Sequence, residues 1–114
     1  MKFEWDPEKA QMNLARHEVS FVRATRVFAD PYLLERLDIR VNYGEDRWQT
    51  IGEVDRDILF VVHTLRSGWI RIISARKTNR IEREAYVRAR AEAEPAPELD
   101  PRSRREEGES GEGS

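Results

Sequence analysis

Four strand-like runs stand close together in the chain, at about 33–39, 47–53, 57–64 and 69–75. The links between them carry turn chemistry, NYGED, EVDRD and RSG. A parallel crossover needs about a dozen residues or more, so links this short make neighbouring strands antiparallel. The run DILFVVHT is apolar on both faces and reads as the central strand. Helical segments flank the runs. Asp6-Pro7 offers a capping carboxylate followed by Pro at the first helical position, and a helix over about 7–17 follows with Ala10, Leu14 and His17 toward one side. Ser20 is the next cap. Phe21, Ala24, Thr25 and Phe28 then fall at i, i+3, i+4 and i+7, one helical stripe, which Asp30-Pro31 ends. Thr78 is placed to cap a last helix carrying Ile81, Ala85, Tyr86 and Ala89 on one side. The expected fold is α+β: two N-terminal helices, a four-stranded antiparallel sheet and a C-terminal helix.

The 114 residues suffice for one domain with a modest core. The expected division is an ordered domain over 1–91 and an acidic tail over 92–114. The tail, EAEPAPELDPRSRREEGESGEGS, has three Pro, three Gly and only Leu99 as a large aliphatic, so it buries too little surface to offset the entropy of ordering and reads as disordered. The absence of Cys removes disulfides, thiolate metal sites and a Cys nucleophile, and two His argue against a zinc site, so no cofactor and no metal are expected. Apolar runs are short, such as ILFVV at 58–62, and the start, MKFEWDPEK, is charged. A soluble cytoplasmic protein with no membrane partner is the expectation. The net charge of −2 hides an asymmetry. Residues 1–91 carry 17 Lys and Arg against 14 Asp and Glu, a net of +3, and residues 66–90 hold 8 basic and 2 acidic groups, a net of +6. Local positive charge of this kind suits a polyanion.

That basic segment starts inside a core-like strand. Residues 69–83 read WIRIISARKTNRIER, with Arg71 in mid-strand and Arg76, Lys77, Arg80 and Arg83 following. FEWDPEKAQMNLARHEVSF near the start, VFADP at 27–31, GEDRWQTIG at 44–52 and IRIISARKTNRIEREAY at 70–86 together resemble the BrnT family, the toxins of type II toxin–antitoxin modules. The resemblance spans about residues 3–88, with four separated motifs in the family's order; the tail lies outside it, and Glu18 stands where the family pattern has Gly. It implies a RelE-like fold and a metal-independent endoribonuclease that cuts RNA and arrests growth. It also implies a BrnA-like antitoxin with a DNA-binding domain, and a dimer within a toxin–antitoxin heterotetramer.

RNA cleavage without metal needs a base for the 2′-hydroxyl, cations for the charged transition state and an acid for the leaving 5′-oxygen. Arg71 on the strand, with Arg76 and Lys77 just past it, suits the cationic role, since a guanidinium stays charged and bonds two phosphate oxygens at once. The plainer reading is a solvated sheet face, with helix charges paired to Glu82 and Glu84. His17 is either a helix C-terminal cap or an acid, base or phosphate-binding imidazolium. His63, at the exit of the central strand, is either packed or chemical, and Thr64 and Arg66 beyond it could bind phosphate. Arg47 is either bridged by Glu45-Asp46 or a second phosphate clamp, and Arg80 adds to the basic helix start. Trp48 and Trp69 read as core or as base-stacking platforms. From a different class stands a non-catalytic nucleic-acid-binding or co-repressor subunit, a degenerate toxin.

Overall fold

A computed structural model describes residues 1–39 and 42–93. Its elements in chain order are β1 (Phe3–Glu4), α1 (Pro7–His17), α2 (Phe21–Thr25) running into a 3-10 turn (Arg26–Ala29), β2 (Leu34–Asp38), β3 (Arg47–Val54), β4 (Asp57–Arg66), β5 (Trp69–Lys77) and α3 (Arg80–Ala93). The α+β class stands, and the helices fall before and after the sheet as expected. The sheet itself differs from expectation. It has five strands in the order β1-β5-β4-β3-β2, and it is mixed. The extra strand, β1, pairs parallel to β5 through Phe3 opposite Ile70 and Glu4 opposite Arg71. Two residues are too few to show a period, and the crossover that parallel pairing requires is the whole intervening domain.

Other element boundaries also move. The stripe from Phe21 to Phe28 divides into a five-residue α-helix and the 3-10 turn. Strand β5 runs on to Lys77, so Arg76 and Lys77 lie within it. The last helix is capped by Asn79: its side chain accepts from Glu82 N at 2.8 Å, and Glu82 Oε1 accepts from Asn79 N at 2.9 Å, a reciprocal box. Thr78 instead donates its hydroxyl to Ile58 O at 2.9 Å. Helix α3 continues to Ala93, past the expected boundary at 91, and the rest of the expected tail lies outside the described residues.

Local chemistry explains the helix starts. Asp6 accepts from Glu8 N at 2.9 Å with Pro7 behind it, and Ser20 accepts from Arg23 N at 3.0 Å. Helix α1 ends on Glu18 at φ +61°, whose N–H returns to Leu14 O. The β3–β4 and β4–β5 hairpins close on residue pairs with positive φ, Asp55-Arg56 (51° and 77°) and Ser67-Gly68 (51° and 84°), the handedness that matches strand twist. The first turn is clamped from outside by Arg26, which donates to both Asp55 oxygens at 2.8 and 3.0 Å.

The core lies on one face of the sheet. Val19, Phe21, Ala24 and Val27 pack against Val54, Leu59, Val61, Ile72 and Ala75, with Trp5 edge-on to Phe21. One polar side chain is buried among them. Asn13 of α1 donates to Ala75 O at 2.8 Å and to Val19 O at 2.9 Å, and accepts from Ala75 N at 3.1 Å. It satisfies the outer edge of β5 beyond the end of β1. A second polar node sits at the far end of the domain. Asp30 accepts from the Tyr86 hydroxyl, from Glu53 N at 2.8 Å and from Tyr32 N at 2.8 Å. Burial opposes its charge, yet these donors and nearby Arg90 hold its carboxyl below the usual range, while burial and Asp30 push the Tyr86 phenol up to about 12. Gly52 lets the 3-10 turn approach, because a Cβ there would lie 2.8 Å from Val27 Cγ1.

Two substitutions test this account. Replacing Asn13 by Ala strands three buried backbone groups, so chemical denaturation should record a loss of about 3 kcal/mol or more, against less than about 0.5 kcal/mol for the exposed neighbour Gln11→Ala. Glu18→Gly removes a side chain from a left-handed position and should raise stability by about 1 kcal/mol in the same assay.

Candidate functional site

Side chains on β5 alternate between the core face and the opposite, more open face, which α3 covers in part over Phe60 and Ile51, and the register fixes which goes where. Arg76 is opposite Phe60, and Arg71 is opposite Thr64, on the open face; Lys77, opposite Leu59, is on the core face. Arg76 and Lys77 therefore leave the strand on opposite sides. The Lys77 charge acts on Asp57, helping to hold that carboxyl below its usual range after the larger effect of the Arg23 hydrogen bond.

Arg76 is held from three directions. Its guanidinium stacks on Phe60 with the carbon 4.2 Å from the ring centroid, donates to both Glu82 oxygens at 2.9 and 2.8 Å, and donates to Lys77 O at 3.1 Å. The Arg76 hydrogen bond does most to hold the Glu82 carboxyl below its usual range, with help from Asn79 N and nearby Arg36, against the opposing effect of burial. Glu82 is thus a fixed carboxylate at the start of α3. Arg71, further along the same face, faces Glu4 at 3.5 Å.

The other end of the open face carries Arg47, Thr64 and Arg66. Glu45 stands between the two arginines, 3.1 Å from Arg66 and 3.7 Å from Arg47. Arg47 also lies over Tyr43 at 4.1 Å, and Thr64 donates to Asp46 O at 2.6 Å. These residues hold the turn before β3 down onto the sheet. Arg80 is exposed at the start of α3, 4.0 Å from Glu84. Trp69 is partly exposed with Lys2 over its ring at 5.4 Å, whereas Trp48 is half-buried beside His63 in the adjacent strand.

His63 is separated from the arginines by the sheet. It is 2% exposed, edge-on to Phe28 at 4.9 Å, with Nε2 3.3 Å from Glu35 Oε2 and no hydrogen-bond partner for Nδ1. Burial lowers its proton affinity, and the Glu35 carboxylate offsets only part of that. It packs as a neutral core imidazole.

His17 has a different setting. It ends α1, half-buried, where α1 runs along β5. Lys9, Asn13, Arg16 and His17 line a cleft of about 160 Å³ whose far wall is Ile73 and Ser74. The strand has a register irregularity here: Val62 is opposite Ser74 and His63 opposite Ile72, which leaves Ile73 as an extra residue and bends the edge. Ser74 lies between Arg71 and Arg76 in sequence, so the cleft borders the strand that carries both. Lys9 and Arg16 had no sequence signal as site residues beyond their spacing on His17's side of the helix. Among the described residues no group of three or more His, Asp or Glu gathers as a metal site, and no helix is long and apolar enough to cross a membrane.

The chain belongs to the family described as ribonuclease toxin, BrnT, of type II toxin–antitoxin system, whose family model matches residues 5–82. No curated protein sequence matches it. Membership supports a ribonuclease toxin working within a toxin–antitoxin pair, with a nucleic-acid substrate and a cognate antitoxin.

The buried state of His63 gives a pH signature. Its proton affinity is lowered on folding, so below the ordinary value of 6.5 the unfolded chain takes up the proton first and stability falls with pH. The carboxylates of Asp30 and Glu82, lowered from 3.8 and 4.5, lose their contribution in a more acidic window. Thermal midpoints should therefore fall between pH 6.5 and 5. His63→Gln should flatten that limb; an undiminished slope would show that another group titrates there.

Proposed function

We propose that this chain is a metal-independent endoribonuclease of RelE-like fold, acting in the cytoplasm, whose centre is the open side of β5. The observation that carries the reading is the presence of Arg71 and Arg76 on one rigid strand face, with His17 on the helix alongside, in a chain of this toxin family. In the proposed reaction the ribose 2′-oxygen attacks the adjacent phosphorus as its proton passes to a base. The bond to the 5′-oxygen breaks, and that oxygen takes a proton from an acid. The products are a 2′,3′-cyclic phosphate and a 5′-hydroxyl. The imidazole of His17 is assigned to proton transfer, and the guanidiniums of Arg71 and Arg76 to the phosphoryl oxygens, where charge accumulates. A strand fixes these groups more tightly than a loop would. Lys77, projecting to the other side of β5, is assigned a supporting electrostatic role. Arg47, Thr64, Arg66 and Arg80 would extend the track along which RNA lies.

The partner is proposed to be a BrnA-like DNA-binding antitoxin that covers the basic side of the toxin, within an assembly containing two toxin copies. A second reading has one observation in its favour: Glu82 already fills two donors of Arg76. A binding module that never cleaves would have no need to release that arginine.

Expression of the chain without a partner should arrest growth and fragment cellular RNA. In a purified assay, Arg71→Ala, Arg76→Ala and His17→Ala should each lower kcat by about a hundredfold or more, and Lys77→Ala by less than about tenfold, since it faces away. Equal losses from Arg76→Ala and Lys77→Ala would contradict the assignment by face. Intact RNA with a folded parent protein, together with salt-sensitive RNA binding, would establish the binding module instead.

A further inference from the structure

We infer that the cleft between α1 and β5 is a phosphate subsite, in which Lys9 and Arg16 hold a backbone phosphate of single-stranded RNA beside the reacting one. This deepens the ribonuclease reading and rests on it for the identity of the polyanion.

Three observations carry the inference. The first is charge. Most arginines on the sheet and its flanking turns face an acid of the same chain: Arg71 faces Glu4, Arg76 faces Glu82, and Arg66 faces Glu45. The side chains of Lys9, Arg16 and His17 make no hydrogen bond or ion pair among the described residues, and no acid lines their cleft. Their field is therefore not neutralised locally, which is the condition that favours an anion. The second is rigidity. Asn13 stands among them on the same side of the helix and is fixed by three hydrogen bonds to β5 and to the chain after α1. The cations are mounted on a helix that cannot slide along the strand. The third is position. The opposite wall contains Ser74, which lies in the chain between the two arginines assigned to the reacting phosphate, beside the bulge residue Ile73. A cleft of about 160 Å³ admits a phosphate group and is too small for a stacked base as well. It would thus bind the backbone without reading sequence.

The test uses the full chain and a short single-stranded RNA carrying 2′-O-methyl groups, so that binding is measured without cleavage. Lys9→Ala plus Arg16→Ala should weaken binding by about tenfold or more. It should also reduce the slope of log affinity against log salt by about 0.7, the amount for one single-strand phosphate contact. Arg83→Ala plus Arg88→Ala removes the same charge from the exposed side of α3 and should leave the slope within about 0.2 of the parent. Lys9→Arg plus Arg16→Lys should restore it. With cleavable RNA, the cleft variant should raise KM more than it lowers kcat. An unchanged slope in a parent that binds and cleaves RNA would overturn the subsite while leaving the ribonuclease reading intact. A slope that depends on the cleft in a chain that never cleaves would uphold the subsite and remove the enzyme. No RNA binding by the parent would overturn both.

Discussion

The carboxamide of Asn13 is the contact on which the arrangement depends. Strand β5 has β4 on one side for its whole length, but β1 covers the other side for only two residues. Beyond that point a strand edge in the interior would leave backbone donors and acceptors bare, at a cost comparable to that of the hydrogen bonds lost. Asn13 takes the place of the missing strand at Ala75, meeting both its N–H and its C=O. Its remaining donor reaches Val19 O and so ties down the turn between α1 and α2. One side chain thereby sets the position of α1 along the sheet, the entry of α2 into the core and the width of the cleft that holds His17.

At the other end of the domain, Asp30 does for α3 what Asn13 does for α1. The 3-10 turn lies against β3 because Gly52 has no side chain, and this brings Asp30 to Glu53 N and to the Tyr86 hydroxyl. With Tyr86 fixed and Arg90 bonded to Glu53 at 2.5 Å, α3 is anchored from its middle to its last turns. Its first turn is then positioned by Glu82, between the Asn79 cap and the Arg76 fork. Much of VFADP, TIG and EREAY, three of the stretches that carry the family resemblance, is thus explained by holding the last helix on the domain.

What could be read from the sequence was what depends on near neighbours. The start of α1 at Pro7 and its end at His17 follow from Asp6, Pro7 and a local backbone reversal, and the last four strands follow from their turns and apolar content. What could not be read depends on distant contacts. Asn13 looks like any polar residue on a helix surface until Ala75, 62 residues on, is placed beside it. Strand β1 is too short for a pattern. In the sequence Lys77 stands with Arg76, because charges mark the end of an apolar run. The backbone hydrogen bonds carry the strand to Lys77, and alternation then divides the pair. His63 and Arg47 were each open to two readings, and only burial, register and the position of Glu45 distinguish them.

Pairing of the open-face arginines with acids bears on how a phosphate would reach them. Arg76 gives Glu82 its two terminal nitrogens and also donates to Lys77 O, and its side chain is about a third exposed. An ion pair this accessible contributes little net stability, because water competes for both members. Its effect is chiefly geometric: with Phe60 beneath the plane and Glu82 at one edge, the guanidinium has one orientation instead of many. A phosphate carrying full charge can then share or displace the carboxylate without the arginine having to be ordered first. Unneutralised cations in the α1 cleft complement this. They supply long-range attraction, which the paired arginines cannot, while the paired arginines supply fixed geometry, which flexible surface cations cannot. A polyanion spanning both would be drawn by the first set and oriented by the second. Asn13 keeps the two in register by fixing α1 to β5.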